Sequence, residues 1–129
     1  MNKHQLANVY AQVGLESAVL SASQQQLTSL LFEGVLNALA QASIFMGKQQ
    51  VIAKGDRIAK AISIIDNGLM QSIEAFADEP LAAQLITLYD YIIRQLLLAN
   101  LHNDEAKLAH CRELLQQIAE AWQLSLANK

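Results

Sequence analysis

Tyr89, Asp90, Tyr91 and Arg94, followed by Asn100, Asn103 and Asp104, are the densest set of chemically capable side chains in this 129-residue sequence. Asp90 lies four residues before Arg94. On a helix the two meet as an ion pair, which contributes only a few tenths of a kcal/mol when exposed. Tyr89 and Tyr91 lie about 200° apart around a helix of 3.6 residues per turn. They cannot share one small core, so one packs centrally while the other reaches an adjacent groove or the N-terminal segment. Asn103 or Asp104 is suited to cap a following helix. A helix needing only a buried stripe would not require so particular a polar set, and the chemistry it offers is recognition rather than catalysis.

The groups that catalysis or metal binding would need are sparse. The histidines are His4, His102 and His110, and the single cysteine is Cys111. No glutamate has a histidine three residues later, so the Glu-x-x-His pairs of a di-iron bundle are missing. His102, His110 and Cys111 fit no common zinc spacing. They are expected to be helix-end imidazoles and a small buried thiol. Lys54-Gly55 would suit a histidine phosphotransfer bundle, whose pattern resembles His-x-x-Lys-Gly, but Val51 stands where the nucleophile belongs. Glycine-rich phosphate loops and serine nucleophile elbows are likewise missing. The expectation is a binding protein, with no enzymatic activity, no cofactor and no metal.

Composition points the same way. Hydrophobic residues make up 53% of the chain and charged residues 16%, and mean hydropathy is positive. In a domain this small, part of that apolar surplus must stay exposed or cover a partner. The formal net charge is −3, with Lys and Arg scattered, so no electrostatic footprint for nucleic acid or anionic membrane is present. One cysteine excludes an internal disulfide and fits a reducing compartment. No signal-peptide pattern follows Met1, and no uninterrupted apolar run of about 18 residues suggests a membrane span. A cytoplasmic location is expected.

The elements that must position these side chains are helical almost throughout. Long helices are predicted over about 24–46, 51–76, 81–101 and 105–126. In the first, Leu27, Leu31, Val35, Ala38, Ala42 and Phe45 form one stripe that Leu30, Phe32, Leu36, Leu39 and Met46 widen around most of the circumference. In the second, Ile58, Ile62, Ile65, Leu69 and Ile73 recur at helical steps, with Gly55 and Gly68 inside the pattern. Each glycine costs about 1 kcal/mol relative to alanine, which a close helix crossing would offset. Pro80 suits the first turn of the third helix, whose inward face carries Leu85, Leu88, Ile92, Leu96 and Ala99. Leu108, Cys111, Leu115, Ile118 and Trp122 run through the fourth. Before them, Ser23 and Gln26 form a capping-box pattern. The expected architecture is all-α: one domain over 1–129, an antiparallel up-and-down four-helix bundle over 24–126, and a short, mobile, helical or irregular N-terminal segment over 1–23.

Several segments, in order, resemble the FliS family of flagellar secretion chaperones. Tyr10-Ala11-Gln12-Val13 with Glu16-Ser17-Ala18 is similar to its opening tyrosine segment, and Ser21-Ala22-Ser23 with Leu27 to its first turn. Leu31-Phe32-Glu33-Gly34 and Lys60-Ala61 through Ile64-Ile65 resemble two helical elements. The stretch from Tyr89 to Asp104 and the late Ala121-Trp122 complete the match. Two positions depart: Gln24 stands at a usual proline, and Gln95 where relatives often carry a second arginine beside Arg94.

The resemblance implies a cytoplasmic export chaperone that binds the disordered C-terminal region of flagellin, blocks premature polymerisation and keeps the subunit ready for type III export. It implies client grooves, for which Leu31, Val35, Ile58, Ile62, Ile65, Tyr89 and Ile92 are the candidates, with bundle core the competing role for each. It also implies an N-terminal segment, carried here by Tyr10 and Val13, that covers part of the client surface and docks on the cytoplasmic domain of the export gate. Other flagellar regulators and a homodimer without client are further possible partners. The alternatives are a helical adaptor for another flagellar protein and a structural homo-oligomer.

Overall fold

The structure, a computed structural model, describes residues 24–74 and 77–127. The expectations for the segment over 1–23, including Tyr10, Val13 and the Ser23 cap, lie outside the described residues. Within them the protein is all-α, with no strand. Helix α1 is Gln24–Gly47 and α2 is Val51–Ile64. Helix α2 continues through a π-helical stretch, Ile65–Met70, into one more turn, Gln71–Ile73. Helix α3 is Pro80–His102 and α4 is Glu105–Ala127. Helix α1 packs against α2 and α4, and α3 against α4 and α2. Sequence neighbours are therefore spatial neighbours around the bundle, as short turns between antiparallel helices require.

Both turns at one end close in the same way. Gln49 has φ 58° and Asn103 φ 49°, the left-handed conformation that ends helices most cheaply at glycine or asparagine. The Gln50 N–H donates to the Phe45 carbonyl at 2.9 Å, and the Asp104 N–H to the Ala99 carbonyl at 3.0 Å. The expected cap on the fourth helix belongs to Asp104, whose Oδ1 accepts the Lys107 N–H at 3.0 Å. Pro80 opens α3 behind an extended Glu79.

The core runs along the bundle axis. Leu31, Val35, Leu39 and Ala42 of α1 meet Ile58, Ala61 and Ile65 of α2 and its extension, Tyr89, Ile92, Leu96 and Ala99 of α3, and Leu108, Cys111 and Leu115 of α4. Burying each large aliphatic side chain contributes about 1.5–3 kcal/mol. Phe45, placed on the inward stripe by the sequence, is only half-buried.

The π-helical stretch was not expected, since the apolar spacing predicts one unbroken helix over 51–76. A Cβ on Gly68 would lie 2.8 Å from Leu31 Cδ2, so here the predicted close crossing holds and any larger residue must displace the buried Leu31 side chain. At Gly55 it does not: the nearest atoms to a Cβ belong to the Asn100 side chain at 3.8 Å and beyond. By length and overall hydropathy α1 and α3 both fall in the range of a membrane span. Each is interrupted by polar residues, including Glu33, Asn37 and Gln41 in α1 and Asp90 and Arg94 in α3.

Candidate functional site

The polar residues of α3 divide by depth. Tyr89 is the inward tyrosine and is buried, while Tyr91 is half-buried. Burial raises the Tyr89 hydroxyl pKa well above the ordinary phenol value, so the ring acts as a neutral core group. Arg94 and Asp90 pair at 3.0 Å on the outer surface, with side chains 67% and 58% exposed. Such a pair is screened by water and contributes a few tenths of a kcal/mol. Gln95, which departs from the arginine often found there in the resembled family, accepts a hydrogen bond from Lys107 Nζ at 2.9 Å. An arginine there would instead repel that lysine.

The asparagines serve the turns. Lys54, one turn into α2, is only 2% exposed. Its Nζ donates to the Asn100 carbonyl at 2.9 Å and to Asn103 Oδ1 at 2.6 Å. The bundle end is thereby stapled, since the first turn of α2 grips the last turn of α3. Sequence reasoning missed Lys54 as a structural cation. The available signal was its phase: it lies four residues before Ile58, on the buried stripe of α2. At the opposite end, Trp122 Nε1 donates to Ser29 Oγ at 2.9 Å and ties α4 to α1.

Cys111 is a core group with no nucleophilic setting. Its thiol pKa is pushed up to about 11 by burial, against a smaller lowering by Lys107, so it stays protonated at neutral pH. Among the described residues, no three His, Cys, Asp or Glu side chains converge to hold a metal ion.

Six of the seven groove candidates are sealed in the core: Leu31, Val35, Ile58, Ile65, Tyr89 and Ile92. In the bundle as folded they offer no surface to a partner, and their competing role as core is the one the packing supports. Helical spacing brings all of them to the axis because each lies on the stripe that two neighbouring helices cover. Ile62 is half-buried and remains accessible.

The accessible apolar surface is built from other residues. Ile44, Val51, Ile52, Leu97, Leu98 and Leu101 are exposed, Ile52 to 83% and Leu101 to 72%. These six belong to the last turns of α1 and α3 or the first turn of α2, at the end closed by the Gln49 and Asn103 turns, whereas the exposed Leu81 and Leu124 lie at the opposite end. The approach of Gly55 to Asn100 shows which flanks of α2 and α3 face each other. Residues three, four and seven apart share a helix face. Ile52, Ala59 and Ile62 therefore lie on the Gly55 flank of α2, and Ile93 and Leu97 on the Asn100 flank of α3. Helical phase thus places apolar side chains along the facing flanks of α2 and α3, with the exposed Leu101 at the turn end. Composition announced an exposed surplus, but residue types alone could not say which helix would carry it.

Comparison with known proteins places this arrangement among relatives. Residues 6–129 match the family model described as flagellar protein FliS. The chain is 50% identical over 119 residues to the flagellar secretion chaperone FliS of Escherichia coli (strain K12), covering 92% of this chain and 88% of the relative. It is 49% identical over 113 residues to the flagellar secretion chaperone FliS of Salmonella typhimurium, covering 88% of this chain and 84% of the relative. It is 38% identical over 113 residues to the flagellar secretion chaperone FliSB of Pseudomonas aeruginosa, with coverage of 88% and 89%.

Proposed function

This chain belongs to the FliS family of flagellar secretion chaperones, and on that premise we propose that it binds the disordered C-terminal region of flagellin in the cytoplasm. Binding there keeps the subunit unpolymerised and competent for export. The observation that carries this reading is the apolar surface left accessible on α2 and α3, with Ile52, Leu97 and Leu101 exposed and Ile62 half-buried. A disordered segment that folds on binding must offset its ordering entropy with a large apolar contact. An amphipathic helix laid in a groove supplies that contact through anchors at helical spacing. Ile62 is the one groove candidate from the sequence that keeps accessible surface; Leu97, Leu101 and Ile52 join it.

Size-exclusion chromatography with light scattering tests the reading. The protein is mixed at micromolar concentration with flagellin from the same cell, and with flagellin lacking its C-terminal segment. The expected result is a complex with the full-length client that truncation abolishes. No complex with either would end the proposal. The exposed flank also fits a second copy of the chain, so sedimentation without client distinguishes the homo-oligomer: a species that stays assembled on dilution favours it.

The N-terminal segment is the proposed docking element for the cytoplasmic domain of the export gate, with Tyr10 and Val13 as its contacts. Tyr10→Ala is expected to leave thermal stability unchanged while altering partner binding. A large fall in stability would make Tyr10 a structural anchor instead.

A further inference from the structure

Helix α3 is held unevenly along its length. Its buried residues are Tyr89, Ile92, Leu96 and Ala99, so Pro80–Leu88, about two and a half turns, buries no side chain. Leu81 there is 77% exposed. Leu85 and Leu88 lie half-buried against the core. The matching stretch of α1, Gln24–Phe32, starts at the same end of the bundle and buries Leu27, Leu31 and Phe32. Side-chain hydrogen bonds repeat the contrast. Ser29 accepts from Trp122 Nε1 at 2.9 Å and from Gln123 Nε2 at 3.3 Å, which holds α1 to α4. Thr87 Oγ1 donates instead to the Ala83 carbonyl of its own helix at 3.1 Å. Among the described residues, no hydrogen bond or ion pair joins Pro80–Leu88 to another helix.

The surface beneath these turns is irregular as well. Helix α3 packs on the π-helical stretch Ile65–Met70, a form found mostly as single-turn insertions at functional sites. Before that stretch α2 buries Ile58, Ala61 and Ile64. After it, the turn Gln71–Ile73 buries nothing. The free energy of a local opening falls with the apolar contact the opening segment gives up. Pro80–Leu88 gives up little, whereas everything from Tyr89 onward must leave the shared core.

We propose that Pro80–Leu88 opens as a separate unit. These turns leave the bundle, with the hinge between Leu88 and Tyr89, while Tyr89–His102 and the other three helices stay packed. Their departure uncovers Leu69, the large side chain buried in the π-helical stretch. Segments that move on binding are drawn from the low-stability end of a fold. A role for the opening in client capture rests on the chaperone reading above; the opening itself does not.

Native-state amide hydrogen exchange of the full chain, read by NMR, tests the proposal. The first N–H groups of a helix have no intrahelical acceptor, so the informative amides are those of Gln84–Leu88. They should exchange about a hundredfold faster than those of Leu96–Ala99 and of Val35–Leu39 in α1. Their opening should also depend less on denaturant, because that dependence scales with the surface exposed. Equal protection and equal denaturant dependence along α3 would overturn the proposal.

Thiol labelling under native conditions supplies a second measurement. Leu69→Cys and Ile58→Cys are each made in a Cys111→Ala background; both positions are 1% exposed, but Ile58 lies before the π-helical stretch. A neutral disulfide reagent in excess should modify the Leu69→Cys protein about tenfold faster or more. Equal rates would count against the opening. Should either variant fail to fold, amide exchange on the unsubstituted chain still decides. The two proposals fail separately: flagellin capture with uniform protection along α3 removes the opening alone, and fast exchange over 84–88 without flagellin capture removes the chaperone reading alone.

Discussion

Helices α1 and α3 are nearly equal in length and in apolar content, yet they use that content differently. Helix α1 buries Leu27, Leu31, Phe32, Val35, Ala38, Leu39, Ala42 and Met46. Helix α3 buries Tyr89, Ile92, Leu96 and Ala99, and leaves Leu81, Leu97, Leu98 and Leu101 exposed. The difference follows from neighbours. Helix α1 packs closely against both α2 and α4, whereas α3 meets α2 over a smaller contact. Equal hydropathy is therefore compatible with a mostly buried apolar content in one helix and a largely exposed one in the other.

The sharpest way to break that comparison is a pair of truncations. Leu31→Ala and Ile92→Ala should each destabilise the bundle by about 2–5 kcal/mol, measured by denaturant unfolding, because they leave cavities in the core. Leu97→Ala should change stability by no more than about 0.5 kcal/mol while weakening client capture about tenfold or more. If Leu97→Ala unfolds the protein as severely as Ile92→Ala does, α3 has no free face.

The two glycines of α2 give a second contrast, with opposite signs. Gly68→Ala should cost about 1–3 kcal/mol, since its Cβ would press on the buried Leu31 side chain. Gly55→Ala meets no such contact and should stabilise by about 1 kcal/mol through helix propensity. Thermal melts of the two single variants check both signs.

The buried thiol supplies a pH test of the shared core. Cys111 is held protonated up to about 11 from an ordinary value of 9.0. Its unfolded form loses the proton first, so the stabilisation is present below the unfolded pKa and is lost as pH rises from about 9 through 11. Unfolding free energy should fall across that window, and Cys111→Ala should remove the part of the fall that begins near 9.0 while leaving the part above 10.0 that the buried Tyr89 contributes. An identical alkaline slope in the variant would place the titrating group elsewhere. The smallest effect belongs to the outer pair: Arg94→Ala should change stability by only a few tenths of a kcal/mol. A larger loss would mean that the outer face of α3 is less exposed than its geometry indicates.

Much of this molecule was legible before its tertiary structure. Helical spacing located all four long helices, Pro80 marked the start of α3, and Asp104 took the expected capping role. The inward position of a tyrosine followed from the angle between Tyr89 and Tyr91, although packing had to choose Tyr89. The π-helical stretch Ile65–Met70 escaped, because Ile58, Ile62, Ile65 and Leu69 satisfy an ordinary helical period. Lys54 escaped because a lysine within an apolar stripe has no sequence mark separating a buried hydrogen-bonded cation from one that reaches solvent along its stem.

The sequence by itself determined the all-α class, the turns, the lack of metal-ligand spacing and an apolar surplus greater than a small core absorbs. These depend on residue type and on the repeat of one helix. Only the tertiary structure decided that Leu31, Val35, Ile58, Ile65, Tyr89 and Ile92 are core, that Ile52, Ile62, Leu97 and Leu101 keep accessible surface, and that Lys54 lies buried against the last turn of α3. Helical phase specifies which residues share a face, but burial depends on how many neighbouring helices cover that face.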